Sequence, residues 1–267
     1  MKQDDVTKTE QPSTANAVEE SAETTAPPQK KTGHRGIYLL PNLFTTAALF
    51  SGFYAIVASM NADFEKAAVA IFVAMVLDGL DGRVARMTNT QSDFGAEYDS
   101  LADMVSFGMA PALVVFNWAL HDLGKIGWTA AFIYVACAAL RLARFNTQIA
   151  VANKNFFTGL ASPSAAALVA GAVWVLTEAD VAGVDAAGLM AILITAAGLL
   201  MVSNVKYHSF KGLDLKGSIP FVALLAIVFI FVVVSIDPAK VLLLVFAIYA
   251  VSGPVMWVWR RVKHKTQ

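Results

Sequence analysis

Charge is scarce in this chain of 267 residues: Lys, Arg, Asp and Glu make up 15% of it, against about 25% in a soluble domain. That shortage excludes an ordinary soluble enzyme. Nor is there a basic surplus, because 20 Lys and Arg face 20 Asp and Glu. Binding to a phosphate backbone draws on such a surplus, so nucleic acid is excluded as the main partner. Cysteine occurs once, at Cys137, which leaves no internal disulfide, and its apolar neighbours assign it to packing. A cleavable signal peptide is not expected, since the first apolar stretch begins only near Tyr38. No internal repeat and no soluble second domain can be read from the chain.

What remains is apolar, at 57% of residues, and it is unevenly spread. Residues 1–36 hold six acidic side chains among Thr, Ser, Gln, Pro and Ala, with no periodic apolar face, and read as a disordered tail. From Tyr38 onward, apolar runs recur at about the 20 residues needed to cross a bilayer. They predict eight spans, at 38–60, 64–81, 96–120, 126–145, 160–177, 186–204, 218–236 and 240–259. Pro111, Pro163, Pro220 and Pro254 are points where a helix could break, which leaves a seven-span or re-entrant variant open. With the amino terminus in the cytoplasm, 17 of the 20 Lys and Arg fall on that side, as insertion favours. The expectation is an all-α, polytopic membrane helix bundle with both termini cytoplasmic. Its membrane unit covers residues 37–260, and residues 261–267 form a basic cytoplasmic tail.

Ionisable groups inside a membrane cost about 2.5 kcal/mol or more each, so a cluster of them needs compensation. This chain has one such cluster. Asp78 and Asp81 are three apart and share a helical face at the inner end of the second span; Asp99 and Asp103 are four apart and share a face of the third. A short connection brings the pairs together. Four facing carboxylates repel unless divalent cations lie between them, and hard oxygen ligands suit Mg²⁺ or Mn²⁺. Gly82 and Gly95 lie one turn from Asp78 and Asp99, and Ala85 continues the small surface. Arg86 and Ser92 can hold phosphate oxygens by charge-assisted hydrogen bonds. Together these residue types describe a diphosphate site. Asp93 and Glu97 fall off the shared face and read as solvated, and the four histidines do not cluster.

The spacing Asp78, Asp81-Gly82, Ala85-Arg86, Gly95, Asp99, Asp103 resembles the signature of the CDP-alcohol phosphotransferase family at every fixed position. The wording from Ser92 to Pro111, together with Pro41-Asn42 and Thr45, Arg141 to Asn146, and Phe157 to Pro163, is similar to its CDP-diacylglycerol–serine branch. One departure is Ala161, where a proline is expected and whose absence should loosen the entry to span five. The resemblance implies transfer of a phosphatidyl group from CDP-diacylglycerol to L-serine with release of CMP, in the inner (cytoplasmic) membrane and with the site facing the cytoplasm. It implies two divalent cations held by Asp78, Asp81, Asp99 and Asp103, with Asp103 also the general base. Gly82, Arg86 and Ser92 would contact the nucleotide lipid, beside Ala85 and Gly95, and Asn42 and Thr45 would extend the cytidine pocket.

The acceptor side is less defined by residue type. Arg141 and Arg144 are able to grip a serine carboxylate bidentately, with Asn146 nearby and Ser106 one turn beyond Asp103. Arginines at an inner helix end also serve topology or lipid phosphate, and Ser in a helix commonly bonds its own backbone. Another acceptor (glycerol 3-phosphate, inositol or choline) would leave the aspartates unchanged. A cation-coupled transporter and an inactive scaffold are the rivals from other classes; the bilayer and a second copy of the chain are further candidate partners.

Overall fold

The first two helices form a hairpin whose turn is closed by backbone geometry. Helix α1, Arg35–Met60, ends where Ala62 takes φ +61° and the Asp63 N–H bonds Ala58 O at 2.9 Å; α2, Phe64–Thr88, then returns. This is the six-to-one hydrogen bond of a left-handed helix cap. The structure, a computed structural model, describes residues 35–88, 90–148, 156–208, 225, 229 and 232–265. Residues 1–34 of the expected tail and most of the seventh span, 218–236, lie outside the described residues, whereas Arg35 and Gly36, expected to end the disordered tail, open α1 instead.

Next comes a continuous helical rod. It contains α3, Asp93–Asp103, a π-helical segment, Met104–Met109, then α4, Ala110–Val115, and a second π segment, Phe116–Leu120. Pro111 does not break it. Proline lacks the N–H that would bond the carbonyl four residues back, and the Phe107 carbonyl so released accepts the Tyr134 hydroxyl at 3.0 Å. In hydrocarbon such a carbonyl needs a partner from the protein. The donor comes from α5, Lys125–Gln148.

Helices α6, Ser162–Glu178, α7, Gly183–Val202, and α8, Pro238–Lys265, follow among the described residues. Pro163 sits in the first turn of α6, where its missing N–H costs nothing, and Pro254 lies inside α8. Ala161 keeps φ −63°, the value a proline ring would impose, with ψ 137°, and its carbonyl accepts the Ala165 N–H at 2.9 Å. The turn into α6 is therefore formed without proline. Helix α8 also runs on through Lys265, so most of the expected basic tail continues that helix.

Among the described residues, five helices are long and apolar enough to cross a membrane: Leu40–Met60, Asp93–Leu123, Lys125–Thr147, Gly183–Val202 and Pro238–Trp259. Helix α6 is apolar but shorter, and α2 is interrupted by the charges that sequence reading assigns to the site. Among the described residues, one two-stranded ribbon is not helical. Strand β1, Phe156–Thr158, pairs antiparallel with β2, Lys206–His208, in register Phe157 to Tyr207. Gly159 follows at φ +83°, its α-carbon so close to the Met201 carbonyl that any side chain would collide. Tyr207 is fully buried and donates its hydroxyl to Ala250 O at 3.0 Å, tying the ribbon to α8. Two three-residue strands have no periodicity to display, which is why the sequence pattern misses them.

The core is dominated by alanine, including Ala55, Ala67, Ala68, Ala74, Ala102, Ala110, Ala165 and Ala170. Lipid supplies no hydrophobic force between helices, so close backbone approach through small residues holds them together. Gly52 of α1 shows how tight this is, because a β-carbon there would lie 2.5 Å from Ser106 Oγ. That contact sets α1 directly against the rod carrying Asp99 and Asp103.

Candidate active site

Three of the four carboxylates converge. One oxygen from each of Asp78, Asp99 and Asp103 lies within 4.8 Å of the others, all three side chains half-buried. Helix α2 supplies the first, and α3 supplies the other two from successive turns. Asp81 is turned differently: it is 5% exposed and accepts the Thr45 hydroxyl of α1 through Oδ2 at 2.7 Å. Thr45 Oγ1 also lies 3.2 Å from Pro41 O. The fourth carboxylate is thus oriented by α1, beside the converging three.

Local caps hold α3 in place. Ser92 is its N-cap, with φ −138° and ψ 154°, and its Oγ accepts the Gly95 N–H at 3.1 Å. This satisfies one of the donors left open at a helix start. Tyr98 and Thr46 share a 2.9 Å hydrogen bond to α1. On the opposite side, Asn146 of α5 donates to Ser100 Oγ at 3.0 Å, one residue beyond Asp99.

A cavity of about 440 Å³ opens beside the carboxylates. Its wall includes Asn42, Thr45, Asp81, Gly82, Ala85, Arg86, Ser92, Gly95 and Asp99. All the residues expected to contact a nucleotide lipid therefore line one space. A side chain at Gly82 would meet nothing within 4 Å, so the helix surface there is open. Arg86 Nε donates to Gly82 O at 2.8 Å, which fixes the guanidinium along its own helix at the cavity edge. Sequence reasoning missed Thr90, Gln91, Ala96 and Phe145, which also line it. Thr90 and Gln91 belong to the connection between α2 and α3, which has no periodic signal. Phe145 lies within a motif noted for its arginines.

Asp99 belongs to both the cavity wall and the converging carboxylates, and its Oδ1 is buried without a hydrogen-bond partner. Unpaired carboxylate oxygens away from water are costly. A hard divalent cation would satisfy them, and an all-carboxylate donor set suits Mg²⁺ or Mn²⁺. The residues present fit such an ion.

The four acceptor candidates separate. Arg141 points inward: its charge acts on Asp103, while Nη1 donates to Ser162 Oγ at 2.6 Å at the start of α6. Arg144 turns to α7, donating to Val202 O at 3.3 Å and to Asn204 Oδ1 at 2.8 Å. Ser106 is buried and donates to Ala48 O of α1 at 3.1 Å. Asn146 is engaged with Ser100, as above. Of the four, Arg141 alone stands toward Asp103 with donors to spare, since Ser162 is its one hydrogen-bond partner among the described residues.

Known proteins similar in sequence share one name. A Helicobacter pylori protein named CDP-diacylglycerol–serine O-phosphatidyltransferase is 36% identical over 229 residues, covering 85% of this chain and 94% of its own. A Methanocaldococcus jannaschii protein of the same name is 37% identical over 182 residues, 68% of this chain and 80% of its own. One from Bacillus subtilis, also so named, is 34% identical over 172 residues, 64% of this chain and 91% of its own. The sequence profile for CDP-alcohol phosphatidyltransferases matches residues 38–203, a stretch running from α1 through α7 and containing every aspartate of the site, and the chain belongs to that family.

Proposed function

We propose that this protein transfers the phosphatidyl group of CDP-diacylglycerol to the hydroxyl of L-serine, giving phosphatidylserine and CMP. The observation that carries the reading is the meeting of Asp78, Asp99 and Asp103 beside a cavity lined by Gly82, Arg86 and Ser92. The names of the relatives support serine as acceptor.

In this reading the nucleotide lipid occupies the cavity, with its diphosphate toward Asp81 and Asp99. Arg86 and Ser92 bind phosphate oxygens, and Gly82, Ala85 and Gly95 leave the helix surfaces open to it. Two divalent cations held by Asp78, Asp81, Asp99 and Asp103 would neutralise the diphosphate and stabilise the departing CMP. A serine hydroxyl is a weak nucleophile near neutral pH. Asp103 accepts its proton as the serine oxygen forms a bond to the β-phosphorus, the one carrying diacylglycerol, and the bond from that phosphorus to the oxygen bridging to CMP breaks. Arg141 pairs with the serine carboxylate and holds the hydroxyl toward Asp103. Placement fits the same account, with both termini and the site on the cytoplasmic side, where serine is available and where the Lys and Arg are concentrated.

The test is release of CMP by purified protein in lipid nanodiscs supplied with CDP-diacylglycerol and, in turn, labelled serine, glycerol 3-phosphate, inositol and choline. Incorporation of serine alone into lipid is expected. Incorporation of another alcohol in its place would reassign the acceptor, and CMP release that survives Asp103→Asn would remove the general base.

A further inference from the structure

The cavity beside the carboxylates is walled by small and hydrogen-bonding side chains with one exception. Among the described residues, Phe145 is its sole aromatic ring and its sole contribution from α5. The ring is 43% exposed, so the core does not use it up. Its neighbours in sequence fix where it stands. Arg144 is bound to Val202 O and Asn204 on one side, and Asn146 to Ser100 on the other. Successive helical residues diverge by about 100°, so anchoring positions 144 and 146 to different helices holds the residue between them toward the cavity.

The same space contains two primary amides, Asn42 from α1 and Gln91 from the connection before α3. Each offers both a donor and an acceptor. A planar π-face together with amides is what a nucleobase requires, since bases stack on aromatic rings and are read along their polar edges. An acyl chain has no use for the amides, and serine has no ring to stack. We propose that Phe145 is the platform on which the cytosine of the nucleotide stacks, with Asn42 and Gln91 reading its edge. This rests on the assignment of the cavity to CDP-diacylglycerol, and it adds α5 to the nucleotide site as a determinant of specificity.

CMP binding tests this without the acceptor reaction. Titration calorimetry of the full chain in detergent with Mg²⁺ is run with CMP, UMP and ribose 5-phosphate. Phe145→Leu should weaken CMP about 5- to 100-fold, the range for loss of one base-stacking contact, and leave ribose 5-phosphate unchanged. Phe145→Tyr should retain CMP affinity, which controls for folding. The KM for CDP-diacylglycerol should rise with the loss of CMP affinity while that for serine stays fixed. Gln91→Leu should narrow the preference for CMP over UMP. Unchanged CMP affinity in Phe145→Leu, or an equal loss for CMP and ribose 5-phosphate, would overturn the proposal. A wild-type protein that binds CMP yet does not use serine would sink the acceptor assignment and leave the stacking intact. One that binds no CMP would sink both.

Discussion

Thr45 in the first helix donates its hydroxyl to Asp81 in the second at 2.7 Å, so the orientation of one site carboxylate is set from a neighbouring element. A hydrogen bond to a charged group contributes about 1.5–3 kcal/mol. Thr45→Val keeps the shape and removes the donor, and kcat/KM for CDP-diacylglycerol is expected to fall roughly 10- to 100-fold. Thr45→Ser should restore most of the activity. Equal activity in the Val and wild-type proteins would show that Asp81 needs no such anchor.

The converging carboxylates predict that activity depends on an added cation. Asp78, Asp99 and Asp103 have oxygens within 4.8 Å of one another, and Asp99 Oδ1 has no protein partner. Thorough chelation should abolish serine-dependent CMP release, and Mg²⁺ or Mn²⁺ should restore it. Asp103→Asn keeps the size but cannot accept the serine proton, and its rate should fall by about 10²- to 10⁴-fold. Activity undiminished by chelation would contradict the metal assignment.

The aspartate pairs were legible in the sequence because their spacing of three and four is the helical repeat itself. The phosphate-side residues followed from the same register, and all of them line one cavity. Tertiary choices left no such trace. Asp81 is as well placed on the helical wheel as Asp78, and only the approach of α1 turns it to Thr45. Arg141 and Arg144 look equivalent three residues apart, yet one meets α6 and the other α7. Two of the expected spans are weak as crossings, one because charge breaks the apolar run of α2 and one because α6 is short. The ribbon of Phe156–Thr158 and Lys206–His208 escaped notice because chain pairing shows no periodicity.

Tyr134 offers a stability test away from the chemistry. Its hydroxyl is the partner of the Phe107 carbonyl, which Pro111 leaves without a backbone donor. Tyr134→Phe should cost about 1–2 kcal/mol, seen as a lower thermal midpoint in detergent. Combining it with Pro111→Ala should recover part of the loss, because the helix can then supply its own N–H. Independent, additive effects of the two substitutions would disprove the coupling.

The two arginines of α5 should separate by kinetic signature. Arg141 faces Asp103 and is assigned to the serine carboxylate, whereas Arg144 closes the end of α7 through Val202 O and Asn204. Lysine keeps the charge of either but loses the planar two-pronged donor. Arg141→Lys should therefore raise the KM for serine by about 10-fold or more, with the KM for CDP-diacylglycerol little changed. Arg144→Lys should leave the serine KM near wild type and lower the thermal midpoint, because it removes the guanidinium bonds to Val202 O and Asn204 while keeping the charge. Steady-state assays varying each substrate, paired with thermal unfolding, read both effects. A serine KM that responds to Arg144 and ignores Arg141 would reverse the assignment and move the acceptor pocket toward α7.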